Sequence, residues 1–391
     1  MKIRRGVFVA ALPALTLALA QTGGVPANGS YEGKPSVSLS NGVLTLTVLL
    51  EGATVVDLVL AGEGEKISPF WNPSRMNREL GRPAPESPST GHFVCVDGFG
   101  PASSEERAAG LPGHGEARVR TMAASSRKEG NVAVLAMKAT LPMVQESFTR
   151  TFRMADGENV VYVESRLESL LGFDRPISWA EHATVGSPFL ESGKTVFDLS
   201  GSKSQTRPYQ QAPNANAATV RRLASGADFT WPAAPGLDGR IVDMRVTPAD
   251  PHYLDHTATL LDPSRDLQWA TALNLEHRLL LGYVFRREDY PWLQTWGNYP
   301  PTHKMSRGME FSTQPYDVPR REAVGMGTLF GQPTFRWLPA KATIETRFLF
   351  FFTPVPEGFA RVDDVRLVEG RIVIEDRRAG RQVVVAASLP L

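Results

Sequence analysis

Between residues 117 and 167 the chain carries four strand-like segments at even spacing, and this pattern constrains the fold more than any other feature. The segments are 117–123, 132–140, 146–154 and 160–167. Glu129-Gly130-Asn131, Leu141-Pro142 and Asp156-Gly157 punctuate them, so they read as an antiparallel meander. Upstream, Asn41-Gly42 is a strong hairpin signal before two Val/Leu/Thr-rich runs, 43–50 and 53–60, split by Glu51-Gly52. Later strand candidates are 268–274, 278–286, 342–353, 371–375 and 382–387. No long stretch has helical periodicity. Many short strands with Gly and Pro turns predict an all-β fold, a large antiparallel sandwich or barrel. Residues 69–90 and 200–251 are rich in turn formers and read as long loops over a sheet. The last residues, from Asp363, read as a terminal hairpin. Nothing resembles a linker between two cores, so 36–391 is expected to be one domain, preceded by a flexible segment, 21–35.

Residues 1–20 read as a cleavable signal peptide. Lys2, Arg4 and Arg5 precede an apolar run from Val7 to Ala20, which ends in the small-x-small pattern Ala18-Leu19-Ala20. That run is too short to span a bilayer comfortably, and no other segment approaches the required length. The expected location is periplasmic or secreted. Cys95 is the only cysteine, so the exported chain has no internal disulfide and must draw its stability from a buried core. Flanked by Val94 and Val96, Cys95 is expected to be buried and inert. The 42 basic and 41 acidic residues nearly cancel, which argues against a nucleic-acid partner or a membrane-surface role. There is no Gly-rich phosphate loop and no Gly-x-Ser-x-Gly elbow, and no cofactor is expected.

Three residues stand out as candidates for acid–base chemistry. His114 sits in Gly113-His114-Gly115-Glu116, where glycines allow close approach of a ligand. His182 lies in Trp179-Ala180-Glu181-His182, which sets an aromatic ring, a carboxylate and an imidazole within four residues. Glu310 occupies the short apolar setting Met309-Glu310-Phe311 ahead of a turn-rich segment. His303 is close enough in sequence to Glu310 to share a groove with it. His252 and His256 flank Asp255 at a spacing that binds zinc on a helix, but Pro248 and Pro251 oppose a helix there, and no metal is expected.

In chain order these residues resemble the galactose mutarotase (aldose 1-epimerase) family. Further matches are Ser68-Pro69-Phe70-Trp71-Asn72-Pro73, the 90–100 stretch before His114, Asp289-Tyr290-Pro291-Trp292-Leu293-Gln294-Thr295-Trp296, and Leu338-Pro339-Ala340 ahead of a threonine-rich strand. The similarity runs from about Val37 to Thr353. It implies a β-supersandwich with a sugar groove on one sheet, and interconversion of the anomers of a free aldose. Glu310 would be the base, His182 the acid, and His114 a hydrogen-bonding partner of the ring oxygen or a neighbouring hydroxyl. Arg75 would bind hydroxyls, and Trp71, Trp292 or Trp296 would stack on the sugar. The chain departs from the family pattern at Glu116 and at Glu181, the latter placing a carboxylate beside the acid that either raises its pKa or binds a different ligand. Asp255 and Asp289 are the candidates for the family's sugar-binding aspartate. The expected partner is an unphosphorylated mono- or oligosaccharide. A carbohydrate-binding protein without turnover remains an alternative, as does a lyase or hydrolase using paired carboxylates such as Glu181 and Glu310.

Overall fold

A computed structural model describes residues 28–62, 66–83, 89–209, 219–301 and 305–391. The proposed signal peptide and His303 lie outside the described residues.

Two antiparallel sheets carry the architecture. One has eleven strands, and its central part runs in the order His92–Val96, Trp179–Gly186, Ser306–Ser312, Trp292–Tyr299, Tyr253–Leu261, Gly201–Thr206. The other has eight strands and holds the meander Ala123–Glu129, Val132–Leu141, Glu146–Ala155, Val160–Ser169, next to Thr343–Pro354. The main core fills the space between the sheets. Val94, Ala183, Leu293, Met309 and Phe311 of the first meet Phe148, Val161, Tyr283, Phe348 and Phe350 of the second.

The eight-stranded sheet is covered on its other face too. Val365, Ile372, Ile374 and Val385 of a C-terminal three-stranded sheet pack on Val160, Trp269, Leu349 and Phe351. This explains the unbroken apolar run in Thr343–Pro354: Phe348, Phe350 and Phe352 face the main core, while Leu349 and Phe351 face the second.

Several expectations need correction. The first meander strand lies at Ala123–Glu129, and Ala117–Val119 is instead a short 3-10 turn. Ala123–Glu129 is a largely exposed edge strand, Ala-Ala-Ser-Ser-Arg-Lys-Glu, so it carries no apolar alternation to mark it. The terminal hairpin is a three-stranded meander, because Asp364–Val368 adds a strand. Part of the segment read as flexible is ordered: Asn28–Tyr31 pairs with Lys34–Ser40. The 200–251 stretch contains a full strand of the large sheet, Gly201–Thr206, and a small hairpin, Ala233–Pro235 with Ile241–Asp243.

Candidate functional site

Strand alternation sorts the residues of the large sheet between two faces. In Trp179–Gly186 the odd positions Trp179, Ala183 and Val185 belong to the main core, which leaves His182 and Thr184 on the outer face. Met309 and Phe311 are likewise core, so Glu310 projects outward. Register then assembles a row across four strands: Phe93 opposite His182, His182 opposite Glu310, and Glu310 opposite Gln294. A second row runs Thr184, Gly308, Trp296, His256.

In the first row His182 Nε2 stands 3.3 Å from Glu310 Oε1. His182 Nδ1 is 2.8 Å from the Thr184 hydroxyl. With Nδ1–H donating to Thr184, Nε2 is left as an acceptor facing the carboxyl. Gln294 Nε2 donates to Glu310 Oε2 at 2.5 Å, and the Asp317 N–H donates to Gln294 Oε1 at 2.7 Å. Gly308 makes the arrangement possible, since a Cβ there would lie 2.1 Å from Glu310 Oε1. Phe93 stacks on the His182 ring at 4.2 Å between centroids.

His114 completes one end. Its ring is roughly perpendicular to that of His182, 5.3 Å away, with Nδ1 3.4 Å from Cys95 Sγ. The turn that carries it is tight: His114 has φ 63°, and a Cβ on Gly115 would meet the Val96 carbonyl at 2.1 Å. A non-glycine residue in this left-handed conformation stores a small strain, held here because the loop packs on the strand beneath it. Cys95 is buried as expected, but it faces this outer side.

Burial sets the protonation states. It pushes Glu310 up to about 8, against the lowering effects of the Gln294 hydrogen bond and the Arg207 charge. Burial and the neighbouring His114 hold His182 well below the usual imidazole value. Burial, reinforced by Arg118, takes His114 down to about 4. At neutral pH the pair therefore holds one proton, resting on the carboxyl, and all these imidazoles are neutral.

Other expected site residues fall into three groups. Trp71 and Trp296 do meet on the outer face, edge to face at 6.4 Å, each half-buried. Arg75 is held at the rim by the Ser187 carbonyl, which accepts from it, and lies 3.8 Å from Glu79. Glu181 and Trp292 do not join a ligand surface. Glu181 points into the inter-sheet core, where it pairs with Arg150 from the opposite sheet and with His92 Nε2 at 3.0 Å, and accepts from the Tyr290 hydroxyl at 3.2 Å. Burial alone would raise this carboxyl, but Arg150 and His92 outweigh it and hold it low. Adjacent strand residues face opposite sides, so Glu181 cannot share a ligand with His182. Trp292 is fully buried, with its indole N–H donating to the Pro333 carbonyl at 3.0 Å.

The sequence reading missed Gln294, Arg207, Asp317 and the role of His256. Arg207 pairs with Asp317, and His256 Nε2 lies 3.4 Å from the same carboxylate. Of the acidic candidates read from the sequence, Asp255 is bound by Arg222 at 2.6 Å and Asp289 by Arg286 at 2.7 Å. Gln294 was detectable, since it alternates with Trp292 and Trp296 on one face. Arg207 was not, because it follows a strand with no apolar pattern. The His252–His256 stretch is strand from Tyr253 on, not helix, and no cluster of three metal-ligating side chains occurs among the described residues.

No family model matches the sequence, and no curated protein matches it. Solved structures do. A candidate aldose 1-epimerase from Klebsiella pneumoniae subsp. pneumoniae shares 15% identity at a TM-score of 0.58, covering 83% of this chain and 81% of its own. A galactose mutarotase related enzyme from Lactobacillus acidophilus shares 12% identity at 0.53, covering 85% of this chain and 100% of its own. A galactose mutarotase-like protein from Lactobacillus casei shares 13% at 0.50, covering 81% and 100%. At such identities the likeness concerns the backbone, and in its backbone this chain has the galactose mutarotase-like β-sandwich fold.

Proposed function

We propose that the protein is an exported isomerase that interconverts the anomers of a free aldose at the His182–Glu310 pair. The observation that carries this reading is the 3.3 Å contact between two buried groups of opposite acid–base character, placed on one sheet face with two tryptophans nearby. Anomerisation needs one group to take the O1 proton while another protonates the ring oxygen, and a pair sharing a single proton does both.

The proton balance closes over one cycle. In the empty site the proton rests on Glu310, so it first crosses to His182 Nε2 along the 3.3 Å contact. Glu310, now a carboxylate, takes the proton of the anomeric hydroxyl as the C1–O5 bond breaks, and His182 gives its proton to O5. The open aldehyde turns about C1–C2. Closure reverses both transfers: His182 takes back the O5 proton as O5 attacks C1, and Glu310 protonates the new O1. Gln294 fixes the carboxyl through Oε2, and Thr184 fixes the imidazole through Nδ1. His114 reaches the same sugar from the loop side, and Trp296 against Trp71 offers a stacking surface one row away. The N-terminal charge and apolar pattern support export.

A glycosidase built on Glu181 and Glu310 is disfavoured, because these carboxyls lie on opposite faces of the sheet. Polarimetry of freshly dissolved α-glucose and α-galactose tests the proposal. Rotation should decay faster with protein than in buffer, and a rate equal to buffer for every aldose tried would reject turnover.

A further inference from the structure

We infer that Gln314 is a positioning residue of the site: through the Asp317 loop and Gln294 it directs the single proton of Glu310 to Oε1, the oxygen that faces His182. This rests on the isomerase reading and deepens it. Gln314 is fully buried, two residues past the strand that carries Glu310, and its side-chain amide joins three segments. Its Oε1 accepts from the Ser178 hydroxyl, just ahead of the strand that carries His182. Its Nε2 donates to the carbonyls of Tyr316 at 2.6 Å, Phe99 at 3.2 Å and Val318 at 3.3 Å.

Two of those carbonyls flank Asp317, so Gln314 fixes the direction of the N–H between them. That N–H donates to Gln294 Oε1 at 2.7 Å. A donor can meet only the oxygen of an amide, so the Gln294 Nε2 is turned to Glu310 Oε2, at 2.5 Å. An amide N–H meets the carbonyl oxygen of a carboxylic acid, which puts the acid proton on the other oxygen, Oε1, 3.3 Å from His182 Nε2. A flipped Gln294 would instead accept from a proton on Oε2, hold it away from His182 and favour the neutral acid.

Packing around Gln314 ties the Asp317 loop to the other end of the site. The turn Asp97-Gly98-Phe99-Gly100 is wedged between that loop and the His114 turn. A Cβ on Gly100 would meet the Asp317 carbonyl carbon at 2.3 Å, and one on Gly98 would meet the Gly115 nitrogen at 2.9 Å. The His114 N–H donates to the Gly100 carbonyl at 2.8 Å. An apolar side chain at 314 would strip the Ser178 hydroxyl and the three carbonyls of this partner and release the constraint on the Asp317 N–H. The titratable and charged groups facing Glu310 are His182, Cys95 and Arg207, and none of them touches the Gln314 amide.

The test compares wild type, Gln314→Met, Gln294→Leu and the double variant. Saturation transfer between the anomers of glucose and galactose gives kcat and KM. Side-chain ¹³C-carboxyl NMR follows the titration of Glu310, assigned by its absence in Glu310→Gln. Gln314→Met should lower kcat by about 10- to 100-fold and change KM by less than about threefold. Glu310 should titrate higher than in wild type in both single variants, because each removes the hydrogen bond that favours the carboxylate. The losses should not add: in the Gln294→Leu background Gln314→Met should cost less than about threefold more. Additive losses, a loss confined to KM, or an unmoved Glu310 titration in Gln314→Met would overturn the proposal. If Gln314→Met does not fold, Ser178→Ala, which removes only the donor to the Gln314 oxygen, takes its place in the cycle, with a loss of about threefold to tenfold and the same criteria. If neither sugar is anomerised, the carboxyl titration decides separately from the isomerase reading. A Glu310 value raised by Gln314→Met, and raised no further by it in the Gln294→Leu background, upholds the positioning role. An unmoved value, or one raised equally in both backgrounds, rejects it.

Discussion

Glu310→Gln should stabilise the protein increasingly as pH rises. Glu310 is fully buried, and its folded-state pKa of about 8 lies above the 4.5 of an ordinary glutamate. A raised carboxyl pKa means that the folded state holds the proton more tightly than the unfolded chain. Its contribution is therefore intact below pH 4.5 and is lost as pH climbs through about 8. Integrated to pH 9, the gap corresponds to about 5 kcal/mol, an upper figure because local relaxation relieves part of it. Glutamine keeps the shape and the contacts to Gln294 and His182 without the charge. Urea unfolding of both proteins, measured from pH 5 to 9.5, isolates the effect, since the other titrating groups are largely common to the two. The stability difference should be small at pH 5 and reach about 3–5 kcal/mol in favour of the glutamine variant by pH 9. A difference that stays flat over this range would mean that Glu310 ionises like an exposed carboxylate, and the shared-proton argument would fall.

Three other outcomes follow from the same geometry. Catalysis needs the pair to hold exactly one proton, so anomerisation should fall as pH rises through about 8, while no acid limb appears at the ordinary imidazole value near 6.5 because His182 is held below it; a pH–rate profile checks both limbs. Gly308→Ala puts a methyl 2.1 Å from Glu310 Oε1 and forces the carboxyl aside. Its rate should drop by about tenfold to a hundredfold, with near-normal unfolding in urea. Glu181→Gln leaves the fully buried Arg150 charge uncompensated and should cost about 3 kcal/mol or more in the same unfolding assay, with sugar affinity nearly unchanged in the folded fraction.

The sandwich was legible because its strands announce themselves through turns and through runs such as Thr343–Pro354, whose two faces are both buried. The edge strand Ala123–Glu129 was not, since solvent on most of its surface removes the apolar signal that would mark it. The same contrast holds in the site. His114, His182 and Glu310 were found from their local settings, and cross-strand register then brought His182 and Glu310 together. Glu181 was misread because alternation sends adjacent residues to opposite faces, and only the known position of the core tells which of Glu181 and His182 faces outward. Arg207 and Asp317 come from segments without periodicity, so their meeting depends on tertiary packing alone.

The central claim is that Glu310 and His182 together move protons on a sugar. Anomer exchange of a ¹³C1-labelled aldose, measured by saturation transfer at pH 7 for wild type, Glu310→Gln and His182→Gln, tests it most directly. Wild type should exchange the anomers well above the buffer rate, and both variants should fall back by a factor of about 100 or more, since each loses one of the two proton-transfer partners. Variants that retain wild-type exchange would contradict the account.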